Sequence, residues 1–353
     1  SCEGTASFRP VEVLLSGLSR PGERHGTKYT YTAPGYRLKY KDMKDYRNET
    51  GRKLEILMED KPTGLEVCSN IQFYDGISVI RSWTELKNNG EEDLGVEYVS
   101  SFALLGIDKE GLLSTDEKLE VLIARNAWQK ELIWNRFSMD QLGMSISQPD
   151  KVRRSSQTIS VGNTGNWSTK NYLPMGCLKN KETDSILFWQ IEQNGSWYWE
   201  ISDQDGHMYL QLSGPTEHQS HWWKNLKPGD TFASVPVSVG SACGDVEEAA
   251  GELTKYRRAI RRKNEDNEDS TKVYRLRFED LVYNYEETKN NLISFVGIPQ
   301  DNHSRPMTKF NPEMSINNTN MQKKIQGYEQ DIKYIESHLS EYLYNFENHL
   351  EIV

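Results

Sequence analysis

Across residues 1–250, apolar side chains recur at alternate positions in short runs bounded by turn residues. A period of two predicts half-buried strands. The clearest runs are Leu65–Ser69, Ile77–Trp83, Val96–Leu104, Ser185–Glu192, Trp197–Ile201 and His207–Leu212. Between them stand Asn88-Asn89-Gly90, Asn194-Gly195-Ser196, Asp205-Gly206 and Lys227-Pro228-Gly229-Asp230, residue types that favour reversals. A hairpin is expected around Asn194-Gly195-Ser196. Many short strands at close spacing predict a mainly β fold, a β-sandwich of two packed antiparallel sheets rather than a parallel sheet.

The period changes near residue 245. Val246, Ala249, Ala250, Leu253, Tyr256 and Ile260 fall three or four apart, which places them on one helical face. This helix is expected to close the β region, residues 1–262. Residues 263–270 hold Glu265, Asp266, Glu268 and Asp269 and no apolar side chain, so they read as an acidic linker. Residues 271–353 form a small α-rich segment with one strand and two helices. The strand is Val273–Phe278. Tyr285–Val296 is a helix stopped by Gly297 and Pro299. The second helix spans about 325–347, with Ile332, Ile335, Leu339, Tyr342, Leu343 and Phe346 as its stripe.

The 353 residues are 36% hydrophobic and 27% charged, a composition suited to a soluble globular chain with room for two or three domains. The formal net charge of −10 argues against a nucleic-acid partner, because phosphate contact needs a basic face. No run of 18 apolar residues is present, so no membrane partner is expected. Ser1-Cys2-Glu3-Gly4 shows no basic and apolar leader pattern, and the expected location is cytoplasmic. Cys2, Cys68, Cys177 and Cys243 lie far apart without zinc spacing, so no metal is expected. The sequons at Asn48, Asn166, Asn194 and Asn317 are patterns short enough to arise by chance.

An ordered series of blocks carries a family resemblance. It runs through Pro34-Gly35-Tyr36-Arg37-Leu38-Lys39-Tyr40, Gln72-Phe73-Tyr74-Asp75-Gly76, Tyr98–Phe102 and Asn126-Ala127-Trp128-Gln129-Lys130-Glu131. It continues through Trp197–Asp203, Ser213-Gly214-Pro215-Thr216-Glu217, His221-Trp222-Trp223-Lys224 and Leu226–Asp230. Over about residues 1–268 these blocks resemble the N-terminal β-supersandwich of glycoside hydrolase family 36 α-galactosidases. Complete members resemble retaining enzymes, whose two carboxylates stand about 5–5.5 Å apart. In the family both acids belong to a barrel that follows this domain. Such a barrel needs about 250 residues, and 83 follow Ser270 (353 − 270). No catalytic residue and no α-galactosidase turnover are therefore expected. The resemblance implies α-galactoside sugars as partners and Trp128 as the substrate-binding residue, since an indole packs on sugar C–H groups. It also implies self-association through sandwich surface that a barrel would cover. Trp222-Trp223 would lie at that edge, and Trp197 and Trp199 are expected in the core.

A second resemblance begins after the linker. Arg275-Leu276-Arg277-Phe278-Glu279-Asp280-Leu281-Val282, Glu286-Glu287-Thr288, Phe295-Val296-Gly297-Ile298 and Phe310–Thr319 resemble the C-terminal part of bacterial sulfotransferases. That family uses 3′-phosphoadenosine 5′-phosphosulfate, held by a Gly-rich loop at a helix N-terminus. No such loop precedes residue 271, so no cofactor is expected. Arg275 and Arg277 read as solvent-facing or paired with Glu279. Ser315 and Asn317 would border a site only in a complete enzyme. His207, His218 and His221 lack a partnered nucleophile and read as structural. Asp203 and Asp205 read as turn caps.

Overall fold

The computed structural model describes residues 8–18, 28–144, 157–204, 207–261, 271–299, 310–324, 326–338, 340, 343 and 344. It divides into two compact units, Ser1–Arg261 and Arg262–Val353. The proposed linker, 263–270, lies outside the described residues, as do Cys2 and the Asp205-Gly206 turn.

The described strands of the first unit are β1 (Val13–Leu15), β2 (Lys39–Asn48), β3 (Gly51–Asp60), β4 (Leu65–Phe73), β5 (Val79–Asn88), β6 (Leu94–Leu105), β7 (Leu119–Ala127) and β8 (Lys130–Ser138). They continue as β9 (Ile159–Asn163), β10 (Tyr172–Asn180), β11 (Ser185–Ile191), β12 (Trp197–Gln204), β13 (His207–Ser213), β14 (Lys224–Leu226), β15 (Thr231–Ala233) and β16 (Val237–Cys243). One six-stranded sheet has the order β1-β6-β13-β12-β9, with β14 also on β6. One ten-stranded sheet has the order β2-β3-β4-β5-β16-β11-β10-β7-β8, with β15 also on β5. Helical turns α1 (Ala33–Arg37), α2 (Thr115–Lys118) and α3 (Glu217–Ser220) and the longer α4 (Val246–Ile260) complete the unit. The mainly β sandwich expected from the alternation is thus observed.

Alternation also decides which side chains meet between the sheets. Trp197, Trp199 and Ile201 of β12 and Leu210 and Leu212 of β13 pack against Val121, Leu178, Trp189, Ile191 and Val239 of the larger sheet. Trp189 and Trp199 meet edge to face at 5.1 Å. Room for the Trp189 indole comes from its cross-strand neighbour Gly176, where a Cβ would lie 2.5 Å from the ring. A second cluster joins Val13, Val96 and Val99 to Met58, Val67 and Leu86. The third lies under α4, where Ala249, Leu253 and Tyr256 cover Leu122, Cys177, Ile186 and Phe188. This is the helical face read from the sequence.

The hairpin expected around Asn194-Gly195-Ser196 does not form. β11 pairs with β10 and β16, whereas β12 pairs with β13 and β9. The turn carries the chain from one sheet to the other. Asn88-Asn89-Gly90 and Lys227-Pro228-Gly229-Asp230 do the same between β5 and β6 and between β14 and β15. Turn chemistry marks a reversal but does not say which sheet receives the next strand.

The second unit holds α5 (Phe278–Tyr283), α6 (Tyr285–Val296), α7 (Pro312–Ser315) and α8 (Glu329–His338). The α-rich reading stands, but the strand expected at Val273–Phe278 does not. Phe278 opens α5 instead, with Glu279 and Asp280 in the first turn, where acids suit the helix dipole. A lone strand would have no ladder partner. α6 has the bounds expected of it, and Gly297 ends it in the left-handed region at φ 72°. The last helix is described over Glu329–His338, where the stripe residues Ile332 and Ile335 are not buried, Ile335 being 49% exposed, and Leu339, Tyr342 and Phe346 lie outside the described residues. Val282 is the one buried apolar side chain among this unit's described residues.

Candidate functional site

The most exposed aromatic side chain among the described residues is Trp128, 80% exposed at the tip of the β7–β8 hairpin. The tip is a two-residue turn, Trp128-Gln129, with Ala127 opposite Lys130 and Gln129 at φ 64°. Its base is irregular. Arg125 pairs with Ile133, so two residues of β8, Glu131 and Leu132, face Asn126 alone. Leu132 sits at φ 54°, an expensive conformation for a bulky side chain. Asn126 holds this geometry. Its Oδ1 accepts the Leu132 N–H at 3.1 Å, its Nδ2 donates to the Thr169 carbonyl at 2.6 Å, and its backbone N–H donates to Asn171 at 3.0 Å. Gln129 N–H donates to Glu131 Oε1 at 2.9 Å.

Asn126 thereby fastens the hairpin to the 164–171 loop, which carries Trp167, 50% exposed. The Trp167 indole N–H donates to Thr169 Oγ1 at 3.1 Å. Below, the buried Trp197 donates its indole N–H to the Ser168 carbonyl at 2.7 Å, and Gly165 N–H donates to Ser196 Oγ at 2.9 Å. Two exposed indoles therefore sit on two segments tied to one another and to the sandwich. The sequence reading passed over Trp167. The available signal was one aromatic residue inside the polar run Asn163-Thr164-Gly165-Asn166, where nothing alternates and no core demand explains it.

Beside the hairpin base lies a cavity of about 400 Å³ walled by Leu132, Trp134, Leu173, Met175 and Leu253, with Arg257 among its polar groups. Cys177 also lines it, and burial pushes this thiol up to about 12. It stays protonated at neutral pH and offers no nucleophile. The site's chemistry is stacking and shape.

Buried acids occur elsewhere, on the face of β12 and β13 that points away from the sandwich core. Glu200 Oε1 accepts from Tyr29 N–H at 3.1 Å and Tyr209 Oη at 2.9 Å, and Oε2 accepts from Tyr198 Oη at 2.9 Å. Glu12 accepts from the N–H groups of Tyr31 and Thr32 and from Thr32 Oγ1 at 2.9, 3.1 and 2.5 Å. Burial raises both carboxyls, Glu12 to about 7. Both are enclosed, with oxygens occupied, so they pin residues 29–32 to the sheet and face no substrate.

The other residues singled out from the sequence are dispersed. Trp197 and Trp199 are core, as expected. Trp222 packs on Phe232 at 5.5 Å, and Trp223 is 60% exposed. Asp203 forms a buried ion pair with Lys28 at 2.8 Å, and Asp205 lies outside the described residues. His207 stands 3.9 Å from Asp108, His218 lies in α3, and His221 ends that turn at φ 53°. In the second unit Arg277 donates to the Leu343 carbonyl at 2.9 Å rather than to Glu279. Ser315 and Asn317 lie in a run of short helical turns. No group of metal-ligating side chains occurs among the described residues, and no described helix is long and apolar enough to cross a membrane.

No protein-family model matches the chain, and no curated protein matches it. Solved structures share its fold. A family 36 α-galactosidase of Geobacillus stearothermophilus, solved with raffinose, matches with a TM-score of 0.56 and 18% identity over 74% of this chain and 34% of its own. A second family 36 α-galactosidase of that organism matches with a TM-score of 0.56 and 17% identity, over 74% and 34%. The α-galactosidase of Lactobacillus brevis matches with a TM-score of 0.50 and 14% identity, over 83% and 35%. The chain thus spans about a third of the length of these enzymes.

Proposed function

We propose that the first unit is a carbohydrate-contacting module of the α-galactosidase type, and that Trp128 packs on the apolar face of an α-galactoside. The observation that carries this reading is an indole 80% exposed on a hairpin whose base is locked by Asn126. An aromatic side chain so exposed contributes nothing to the core. Held rigidly, it offers a stacking face at low entropic cost. Trp167 supplies a second face on the adjoining loop. The fold shared with enzymes solved with raffinose and stachyose supports the sugar class. In this reading the chain contacts the sugar and does not cleave it; the buried acids Glu12 and Glu200 are enclosed with their oxygens occupied and offer no carboxylate to a substrate.

Calorimetric titration with raffinose tests the reading. Trp128→Ala is expected to weaken binding about tenfold or more, the scale of one lost aromatic contact. The melting temperature should stay within about 1 °C, because the side chain is exposed. Equal affinity in both proteins would end the proposal.

A second reading rests on the apolar cavity beside the hairpin. In it the unit works as part of an α-galactosidase completed by a separate barrel, and co-expression with such a barrel should restore hydrolysis. For the second unit we keep the sulfotransferase-like assignment without transferase activity. Absence of saturable 3′-phosphoadenosine 5′-phosphosulfate binding is the expected result.

A further inference from the structure

Among the described residues β2 is the last strand at one end of the ten-stranded sheet, with β3 on one side and an open edge on the other. All ten of its residues are exposed. They include three large apolar side chains, Tyr40 at 67%, Met43 at 49% and Tyr46 at 40%. An open edge of this length is a template for another strand. Charges and a bulge at Lys41 guard it, as is usual. The order of the charges, however, is self-complementary. Asp42 and Lys44 flank Met43 with opposite signs.

We propose that two copies of this chain pair antiparallel along β2, with Met43 opposite Met43, so that the two ten-stranded sheets join end to end. This register sets Asp42 of each copy opposite Lys44 of the other, twice by symmetry. Opposite charges across strands attract, and like charges directly opposite repel. Sliding one copy by a single repeat puts either Asp42 opposite Asp42 or Lys44 opposite Lys44 on the axis. The charges therefore reject both neighbouring registers and admit this one, a specificity built from repulsion as much as attraction. The bulge at Lys41 confines the argument to the regular ladder beyond it.

The groups concerned have local partners that a second strand can replace. Met43 N–H is held locally by Asp42 Oδ1 at 2.8 Å, and a second strand would replace this partner with a carbonyl. Lys44 is 71% exposed and reaches Glu55 only at 3.7 Å. The hairpin bearing Trp128 stands at the opposite end of the same sheet. The pairing uses neither Trp128 nor its hairpin, so it stands or falls independently of sugar binding.

Sedimentation equilibrium on the full chain tests the pairing. A dimer is expected at about 50 µM, a concentration that a contact of modest size can reach. Lys44→Asp places Asp42 opposite an acid twice and is expected to weaken self-association at least about tenfold. The double variant Asp42→Lys with Lys44→Asp restores opposite signs in the same register and should restore the dimer. Both variants should melt alike, since both place an acid opposite Glu55 within the chain. A monomeric native chain, an undiminished Lys44→Asp dimer, or a double variant that stays monomeric would each overturn the proposal.

Discussion

Glu12 illustrates how burial sets a side chain's role. Its carboxyl is enclosed between Tyr31, Thr32 and the sheet, and loss of hydration outweighs three donated hydrogen bonds, raising it from 4.5 to about 7. Below pH 4.5 both folded and unfolded chains hold this proton. Between about 4.5 and 7 only the folded chain keeps it, so stability falls as pH rises through that window and then levels off. The shift corresponds to about 3 kcal/mol. Glu12→Gln removes the titration. The stability difference between the variant and the native chain, measured by urea unfolding, should move in the variant's favour by about 2.5 kcal/mol from pH 5 to pH 8. A difference flat in pH would refute this account. Glu200, raised by the same cause, adds to the slope in both proteins and cancels in the comparison.

At the scale of elements, α4 shows what keeps a helix in place. Asp245 caps it, accepting from Val246 N–H at 2.8 Å, while Glu248 accepts from Asp245 N–H at 2.8 Å. Arg136 of β8 grips both Asp245 oxygens at 2.8 and 2.7 Å. Asp245→Ala is expected to cost about 1 kcal/mol, read as a shifted chemical-denaturation midpoint. This helix was legible from residue spacing alone, as were β4, β5, β6, β11, β12 and β13, whose apolar residues alternate because one face meets a core. β2 was not. Its ten residues carry charge or lie open on both faces, so no burial pattern exists to be read. β7 and β8 were noticed only as the block around Trp128. The element that sequence reasoning placed at Val273–Phe278 failed for the complementary reason: strand-like residues need a neighbouring strand, and the local pattern is silent about neighbours. Trp128 stood out because of the block around it. The lock that Asn126 forms with Leu132 and Thr169 joins residues far apart in sequence and becomes visible only in the fold.

On the scale of the whole molecule, the apolar clusters of the sandwich close within residues 1–261. A chain ending at Arg261 should therefore fold alone, with a single cooperative thermal transition and unchanged raffinose affinity. A noncooperative melt would show that the boundary cuts a shared core. The second unit, with Val282 as its one buried apolar residue among those described, should show no such transition by itself. The pairing of β5 with β16 bears on biosynthesis. Arg81 lies opposite Ser238, 157 positions later (238 − 81). At about 10 residues per second the ribosome needs roughly 16 s to supply that partner. For that interval the growing chain carries an unpaired edge at Val79–Ser82, and chaperone dependence during translation is the consequence.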